Sequence, residues 1–165
     1  MIGIFYGSTM GTTESLAEKI SEKLGVSSAD IHNVGSTKPN AVSEYDCILL
    51  GSSTWGSGEL QDDWHDFLDG LKQLSLSGKK VGLFGCGDAE SYPDTFCDAL
   101  GVIYDALVAT GCSFIGAYVP EGYESTDSAV CRDGKFIGLA IDENNQSDKT
   151  DDRVESWCKL IQASL

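Results

Sequence analysis

Residues 2–15, IGIFYGSTMGTTES, constrain the fold of this chain more than any other stretch. A short apolar run, Ile2–Tyr6, gives way to small and hydroxyl-bearing residues over Gly7–Thr13. Apolar residues then recur from Leu16 to Leu24 at the spacing of one helix face. The pattern predicts a buried strand, a tight loop and the start of a helix, whose free N–H groups and positive dipole end face the loop.

This segment, here called the hydroxyl loop (Gly7–Thr13), suits a bound phosphate. It suits a simple helix cap equally well, because Ser and Thr cap helices in many proteins. No Lys or Arg lies between Met1 and Leu16, so a phosphate bound here keeps its charge largely uncompensated. A Walker loop ends in Gly-Lys-Ser/Thr, whereas Gly11 is followed by Thr12, and no Gly-x-Gly-x-x-Gly run occurs. A nucleoside triphosphate or NAD site is therefore disfavoured.

Charge and cysteine content exclude several partner classes. The 165 residues include 26 Asp or Glu and 11 Lys or Arg, a net charge of -15, which disfavours nucleic acid and anionic membranes as partners. This excess favours basic protein partners, or solubility alone. The six cysteines form no Cys-x-x-Cys pair or zinc-type cluster and lie mostly in apolar segments, which favours free thiols in a reducing cytoplasm. We expect no signal peptide before the first strand and no membrane span.

Strand-like and helix-like patterns alternate along the whole chain. Predicted strands cover Ile2–Tyr6, Ile31–Val34, Tyr45–Gly51, Val81–Cys86, Phe114–Tyr118 and Phe136–Ile141. Predicted helices cover Glu14–Leu24, Leu60–Leu71, Asp94–Thr110 and Asp151–Ala163. Such alternation predicts an α/β fold with a parallel sheet between two helical layers. No linker or repeat interrupts it, so residues 1–165 are expected to form a single domain.

Two further loops follow predicted strands: the tryptophan loop (Ser52–Glu59) and the tyrosine loop (Gly85–Pro93). Ligands of an open parallel sheet bind beyond the carboxyl ends of its strands, so all three loops are expected at one edge. Trp55 and Tyr92 are lone aromatic residues in loops, and exposing such rings to water is unfavourable. Each ring alone could pack on its own loop. Both rings beside a phosphate-type loop favour a flat ligand held between them.

Together these motifs resemble those of the flavodoxins, specifically the long-chain class, and the resemblance covers the whole chain. The family's phosphate motif, Thr/Ser-x-Thr-Gly-x-Thr, is matched by Ser8, Thr9, Gly11, Thr13 and, at its variable place, Thr12. Met10 departs from the motif, because the family usually has Thr there. One hydroxyl donor to the phosphate is therefore expected to be missing, while the Met10 amide remains.

The other two loops are similar to the two flavin loops of that family. The matching residues are Thr54, Trp55, Gly58, Glu59 and Leu60 in the first, and Gly85, Gly87, Asp88 and Tyr92 in the second. The resemblance implies that Trp55 and Tyr92 cover the two faces of the flavin ring system of FMN. It also implies that backbone groups near Gly87 and Asp88 donate to the pyrimidine carbonyl O2. Cys86 lies inside the second flavin loop, where packing is expected and contact with the flavin is the alternative.

The resemblance implies a flavodoxin-like three-layer sandwich. Its five-stranded parallel sheet has the order 2-1-3-4-5 with helices on both faces, and the polar stretch Val119–Lys135 looks like the insertion in the last strand. It also implies a low-potential one-electron carrier, not an enzyme, that binds FMN without a covalent bond, shuttles between semiquinone and hydroquinone and replaces ferredoxin. The implied partners are larger redox proteins that dock at the flavin edge of a monomer. They include a ferredoxin/flavodoxin-NADP reductase and oxidoreductases that otherwise use ferredoxin.

Control of the first electron is expected in the tryptophan loop. In the family, a peptide of this loop flips so that its carbonyl accepts the N5–H of the semiquinone, and the matching peptide here is Gly56–Ser57. A type II′ turn between Trp55 and Gly58 requires positive φ at Gly56, which glycine adopts at little cost. We therefore expect an easy flip and a stabilised semiquinone. The alternative is that Gly56 and Gly58 only shape the turn.

Two other functions were weighed against an electron carrier. A response-regulator receiver shares the strand order but needs acidic residues after strands one and three, where this chain has Gly7-Ser8 and Gly51-Ser52. A flavin enzyme that reduces quinones would need a substrate pocket over the ring, which Trp55 and Tyr92 would obstruct. The acidic residues near the last helix are expected to cap it, with partner docking as the alternative. They are Asp142, Glu143, Asp148, Asp151 and Asp152.

Overall fold

Strands and helices alternate in the computed structural model, which describes residues 1–165. The strands are β1 (Ile2–Gly7), β2 (Ile31–Asn33), β3 (Cys47–Trp55), β4 (Glu59–Leu60), β5 (Lys80–Cys86), β6 (Ser113–Ile115), β7 (Cys131–Arg132), β8 (Lys135–Phe136) and β9 (Leu139–Ile141). The α-helices are α1 (Thr12–Leu24), α2 (Trp64–Leu71), α3 (Asp98–Leu107) and α4 (Thr150–Ser164). None of these helices combines the length and the apolar character that crossing a membrane requires.

The main sheet is parallel along β2-β1-β3-β5-β6, which confirms the predicted strand order 2-1-3-4-5. The register pairs Gly7 at the end of β1 with Ser52 of β3. It also pairs Ser53 with Cys86 at the end of β5. The carboxyl ends of the three central strands therefore meet at one edge of the sheet, and the three predicted loops start there.

The outer position beside β5 is filled by two short segments. β6 pairs with the first part of β5, and β9 pairs with the last part, both in parallel. The strands predicted at Phe114–Tyr118 and Phe136–Ile141 are therefore too long. Gly116, with φ of +87°, follows β6 directly, and the chain leaves the main sheet there. Residues 116–138 then include the antiparallel hairpin of β7 and β8.

Two hydrophobic clusters cover the two faces of the sheet. Successive strand residues alternate between them, so that Ile4 belongs to one cluster and Phe5 to the other. Helices α2 and α3 pack on the Phe5 side, and α1 and α4 pack on the Ile4 side. The apolar residues that recur at helical spacing in the last three predicted helices are buried: Trp64, Phe67, Leu68, Leu71, Phe96, Leu100, Ile103, Leu107, Val154, Trp157, Cys158 and Ile161.

Two helices begin later in the structure than the sequence predicts. Glu59 and Leu60 form β4, which pairs antiparallel with β3, so α2 begins only at Trp64. Cys97 has φ of +55°, in the left-handed region, and this breaks the helix predicted from Asp94. Because α3 therefore starts at Asp98, the N–H of Ala99 lies in its first turn, where it donates to Thr54 of the tryptophan loop.

Candidate functional site

A cavity of about 400 Å³ opens where the three loops meet. The predicted site residues that line it are Ser8, Met10, Thr12, Thr13, Thr54, Trp55, Gly56, Cys86, Gly87, Asp88 and Tyr92. Thr9, Gly11, Ser57 and Gly58 belong to the same loops but do not form its wall. The structure thus brings the three sequence motifs to one cavity, as the strand order requires.

The hydroxyl loop leaves the N-terminus of α1 without a cap. Gly11 is the N-cap residue with φ of +87°, and no side chain accepts a hydrogen bond from the first turn. The first backbone bond of the helix runs from the Ser15 N–H to the Gly11 carbonyl, at 3.0 Å. The N–H groups of Thr12, Thr13 and Glu14 therefore have no partner within the protein. Three unpaired amides at a helix N-terminus favour an anion over the alternative of a plain cap.

Two hydroxyl groups of this loop are oriented by hydrogen bonds that they accept. Ser8 Oγ accepts the Gly11 N–H at 3.0 Å. Thr9 Oγ1 accepts a hydrogen bond from Gln61 Nε2 at 3.1 Å. Each hydroxyl keeps its own proton for a ligand. Gln61, which is buried, is a supporting residue that the sequence analysis missed, since nothing in its local pattern marks a contact with the first loop.

The tryptophan loop is tied down at two points. The indole N–H of Trp55 donates to Ser53 Oγ at 2.8 Å. Thr54 Oγ1 accepts the Ala99 N–H at 3.2 Å, so it bonds an amide in the first turn of α3. Trp55 nevertheless remains 41% exposed, and its ring borders the cavity. A flat ligand in the cavity would cover an aromatic surface that now faces water.

The turn that follows Trp55 has the backbone signature predicted for it. Gly56 has φ of +54° and Gly58 has φ of +93°, while Ser57 lies outside the left-handed region. Positive φ at the first central residue alone is the signature of a type II′ turn. A Cβ at Gly56 would meet no atom closer than 3.7 Å, so it is the backbone conformation that favours glycine there.

The tyrosine loop uses most of its own amides. The Gly87 N–H donates to the Ile141 carbonyl at 3.0 Å, and the Tyr92 N–H donates to the Asp88 carbonyl at 2.9 Å. The Ala89 N–H donates to Asp142 Oδ2 at 3.2 Å. The Asp88 N–H has no partner within the protein. This narrows the prediction that groups near Gly87 and Asp88 donate to a ligand, because the Asp88 amide is the free one among the residues of this loop that line the cavity. Tyr92 itself is 57% exposed.

A fourth segment, residues 142–146, contributes to the site and was missed. Glu143 and Asn144 line the cavity. Asp142 is 1% exposed and binds the tyrosine loop, so capping of the last helix is the wrong interpretation for this residue. The sequence could have indicated this segment, because it directly follows a predicted strand whose carboxyl end lies at the same sheet edge. Ser53, Thr95 and Phe96 complete the missed lining residues.

The electrostatic character of the cavity is acidic. Its lining includes Asp88 and Glu143 and no Lys or Arg. Lys19 lines an adjoining cavity of about 370 Å³ but is paired with Asp151 at 2.9 Å. Cys86, at the cavity wall, is buried, and burial raises its pKa to about 12, so it is a neutral thiol near neutral pH. An anion in this cavity would therefore be held by amides and hydroxyls, without a counter-charge.

Comparison with known proteins agrees with this geometry. A family model described as "Flavodoxin" matches residues 4–157. The flavodoxin of Haemophilus influenzae is 43% identical, over 98% of this chain and 93% of that protein. Flavodoxin 2 of Escherichia coli is 44% identical, over 97% and 94%. A crystal structure of Fusobacterium nucleatum flavodoxin bound to flavin mononucleotide superposes with a TM-score of 0.90, at 30% identity over 99% of this chain and 98% of that one. The chain therefore belongs to the flavodoxin family of electron-transfer flavoproteins.

Proposed function

We propose that this flavodoxin is a low-potential carrier that moves one electron at a time by cycling its FMN between semiquinone and hydroquinone, and that it substitutes for ferredoxin. The observation that carries the proposal is the cavity at the sheet edge. It joins three unpaired helix amides to two exposed aromatic rings, and no cation lines it. The first feature suits a phosphate and the second suits a flat ring system.

The residues present fit FMN at both of its ends. The unpaired amides of Thr12, Thr13 and Glu14 and the hydroxyls of Ser8 and Thr9 would hold the phosphate. Trp55 and Tyr92 would cover the ring system, and the free Asp88 N–H would donate to its pyrimidine end. FMN supplies the redox chemistry when it is bound. The chain therefore needs no acid, base or nucleophile of its own.

Low potential follows from the charge around the cavity. Full reduction adds negative charge to the cofactor, which already carries a phosphate that no cation neutralises. Asp88 and Glu143 line the same cavity, and the protein has a net charge of -15. Like charges in a poorly screened site make this addition unfavourable. The second electron should therefore enter only from a strong reductant.

Partners would approach the edge of the cavity between Trp55 and Tyr92, which are 41% and 57% exposed. Both rings are accessible, so electron transfer could occur there without opening the fold. The acidic surface favours redox partners with a basic docking face, such as an NADP-dependent reductase or oxidoreductases that otherwise use ferredoxin. We propose that the protein acts as a monomer in the cytoplasm, a reducing compartment that suits its six free cysteines.

The test is a visible spectrum of the FMN-loaded protein during anaerobic stepwise reduction. A blue neutral semiquinone that accumulates before full bleaching supports one-electron cycling. Direct passage from yellow to colourless overturns it and favours a two-electron flavin enzyme. NAD(P)H oxidation by the purified protein alone would point to that enzyme as well. Failure of the chain to take up FMN would reject the proposed function entirely.

A further inference from the structure

We infer that Asn145 is a positioning residue of the flavin site: its side-chain amide bridges the carboxylates of Asp88 and Asp142 and so holds the tyrosine loop in its binding conformation. The inference deepens the proposed function and rests on it, because the tyrosine loop is assigned there to the ring end of FMN. Asn145 does not line the cavity, so it would act through the loop and not by touching the cofactor.

The geometry of the bridge fixes the roles of the three side chains. Asn145 Nδ2 lies 2.8 Å from Asp88 Oδ1 and 3.0 Å from each carboxylate oxygen of Asp142. An atom surrounded by carboxylate oxygens must be the donor nitrogen of the amide. The backbone N–H of Asn145 also donates to Asp142 Oδ1, at 3.1 Å. One neutral amide therefore donates to two negatively charged groups at once.

The two carboxylates need such a donor because they lie close together. Both contact one nitrogen atom, so the nearest oxygens are at most about 6 Å apart, a range in which like charges repel. Asp142 is only 1% exposed, so water screens it poorly. Neither carboxylate has a Lys or Arg partner. Hydrogen bonds from amides are what stabilise both charges, and Asn145 is the residue that serves both.

The consequence for the site lies in the amides of the tyrosine loop. Asp142 accepts the Ala89 N–H, and Asp88 Oδ1 accepts the Ser91 N–H at 3.0 Å. The Asp88 N–H, which directly precedes the two anchored amides in the chain, is the free donor at the cavity wall. If the two carboxylates moved apart, the anchors would separate and the Asp88 amide would lose its direction. Asn145 thus orients the Asp88 N–H without contacting it, because it acts through the side chains of Asp88 and Asp142.

The experiment compares FMN and riboflavin binding to the apoprotein of Asn145→Ala. We expect both ligands to bind about tenfold more weakly, equivalent to about 1.4 kcal/mol, because the bridge acts at the ring end that both ligands share. The ratio of the two dissociation constants should not change. Ser8→Ala should instead weaken FMN alone. Asn40→Ala, at an exposed position remote from the cavity, is the matched control and should change neither constant.

A second variant separates the bridge from general packing. Replacing Asp88 by Asn in the Asn145→Ala background removes one of the two charges, so most of the lost riboflavin affinity should return. Unchanged affinity in Asn145→Ala, or no recovery in the double variant, overturns the inference. If Asn145→Ala alone fails to fold, folding of the double variant supports the bridge and its failure overturns it. If the unmodified chain takes up neither ligand, the proposed function itself fails.

Discussion

The hydroxyl loop and the tyrosine loop serve the same cavity, but they are built in opposite ways. The hydroxyl loop leaves three amides of α1 unpaired, and the loop and the helix come from one continuous stretch of chain. The tyrosine loop has paired most of its amides: Gly87 and Ala89 donate to residues 141 and 142, far along the sequence, and Ser91 and Tyr92 donate to Asp88 within the loop. One binding end is thus a local property of the chain, whereas the other exists only in the folded protein.

This difference predicts which ligand should lose affinity when each loop is altered. A change in the hydroxyl loop acts on the backbone that presents the amides, so it should affect a phosphate ligand most. A change around the tyrosine loop acts through distant partners, so it should affect any ligand that has the ring system. Riboflavin, which lacks the phosphate, separates the two effects.

Gly11→Ala should give the largest effect on the hydroxyl loop. Gly11 has φ of +87°, and an added Cβ would meet no atom within 4 Å, so the cost is backbone strain alone, about 1–2 kcal/mol. We expect a lower free energy of unfolding in urea and weaker FMN binding. Gly78→Ala is the matched control, because Gly78 has φ of +81° and equally open space. It should lose the same stability and keep FMN affinity; equal loss of affinity in both variants would contradict a local role for Gly11.

Gly56→Thr tests the tryptophan loop, which lies between the hydroxyl loop and the tyrosine loop in the sequence. An added Cβ meets no clash, but a β-branched residue is strongly disfavoured at φ of +54°. We expect the one-electron-reduced state to lose about 1 kcal/mol or more relative to the oxidised and fully reduced states, so the first reduction potential should fall and the second should rise by the same amount. Spectroelectrochemical titration measures both potentials. Ser57→Thr, outside the left-handed region, serves as the control, and an equal shift there would remove the role of Gly56.

The contrast between local features and contacts formed only in the fold also explains which features could be predicted from the sequence. The strands, the helices and the three loops followed from apolar periodicity and from Gly, Ser and Thr clusters, which are local signals, whereas the strand order came from the resemblance to the flavodoxins. Asp142 illustrates the limit, because an acidic residue before a helix is typically a cap, and only the fold shows its contact with Ala89. Gln61 was missed for the same reason. The break at Cys97 also depends on tertiary structure, since a non-glycine residue with positive φ follows no simple sequence rule.

Met10→Thr should strengthen phosphate binding at the hydroxyl loop. Met10 lines the cavity and is 79% exposed, so its replacement should not change the stability of the apoprotein. A hydroxyl at this place adds one hydrogen bond to a phosphate, worth about 0.5–1.5 kcal/mol. FMN should therefore bind up to about tenfold more tightly, with no change for riboflavin. Isothermal titration of both ligands checks this, and a gain for riboflavin would mean that Met10 faces the ring.

The smallest effect is expected from a change of pH, which acts on Asp88 in the tyrosine loop. Hydrogen bonds from the Ser91 N–H and from Asn145 lower the pKa of Asp88 to about 2. A carboxyl group with a lowered pKa stabilises the fold above its unfolded pKa of about 3.9, and this contribution is lost as pH falls toward about 2. Asp88→Asn lacks the titrating group. The difference between wild type and Asp88→Asn in thermal midpoint should therefore be constant from pH 5 to 7 and shrink below about pH 4. A constant difference down to pH 2 would show that the charge of Asp88 does not hold the loop.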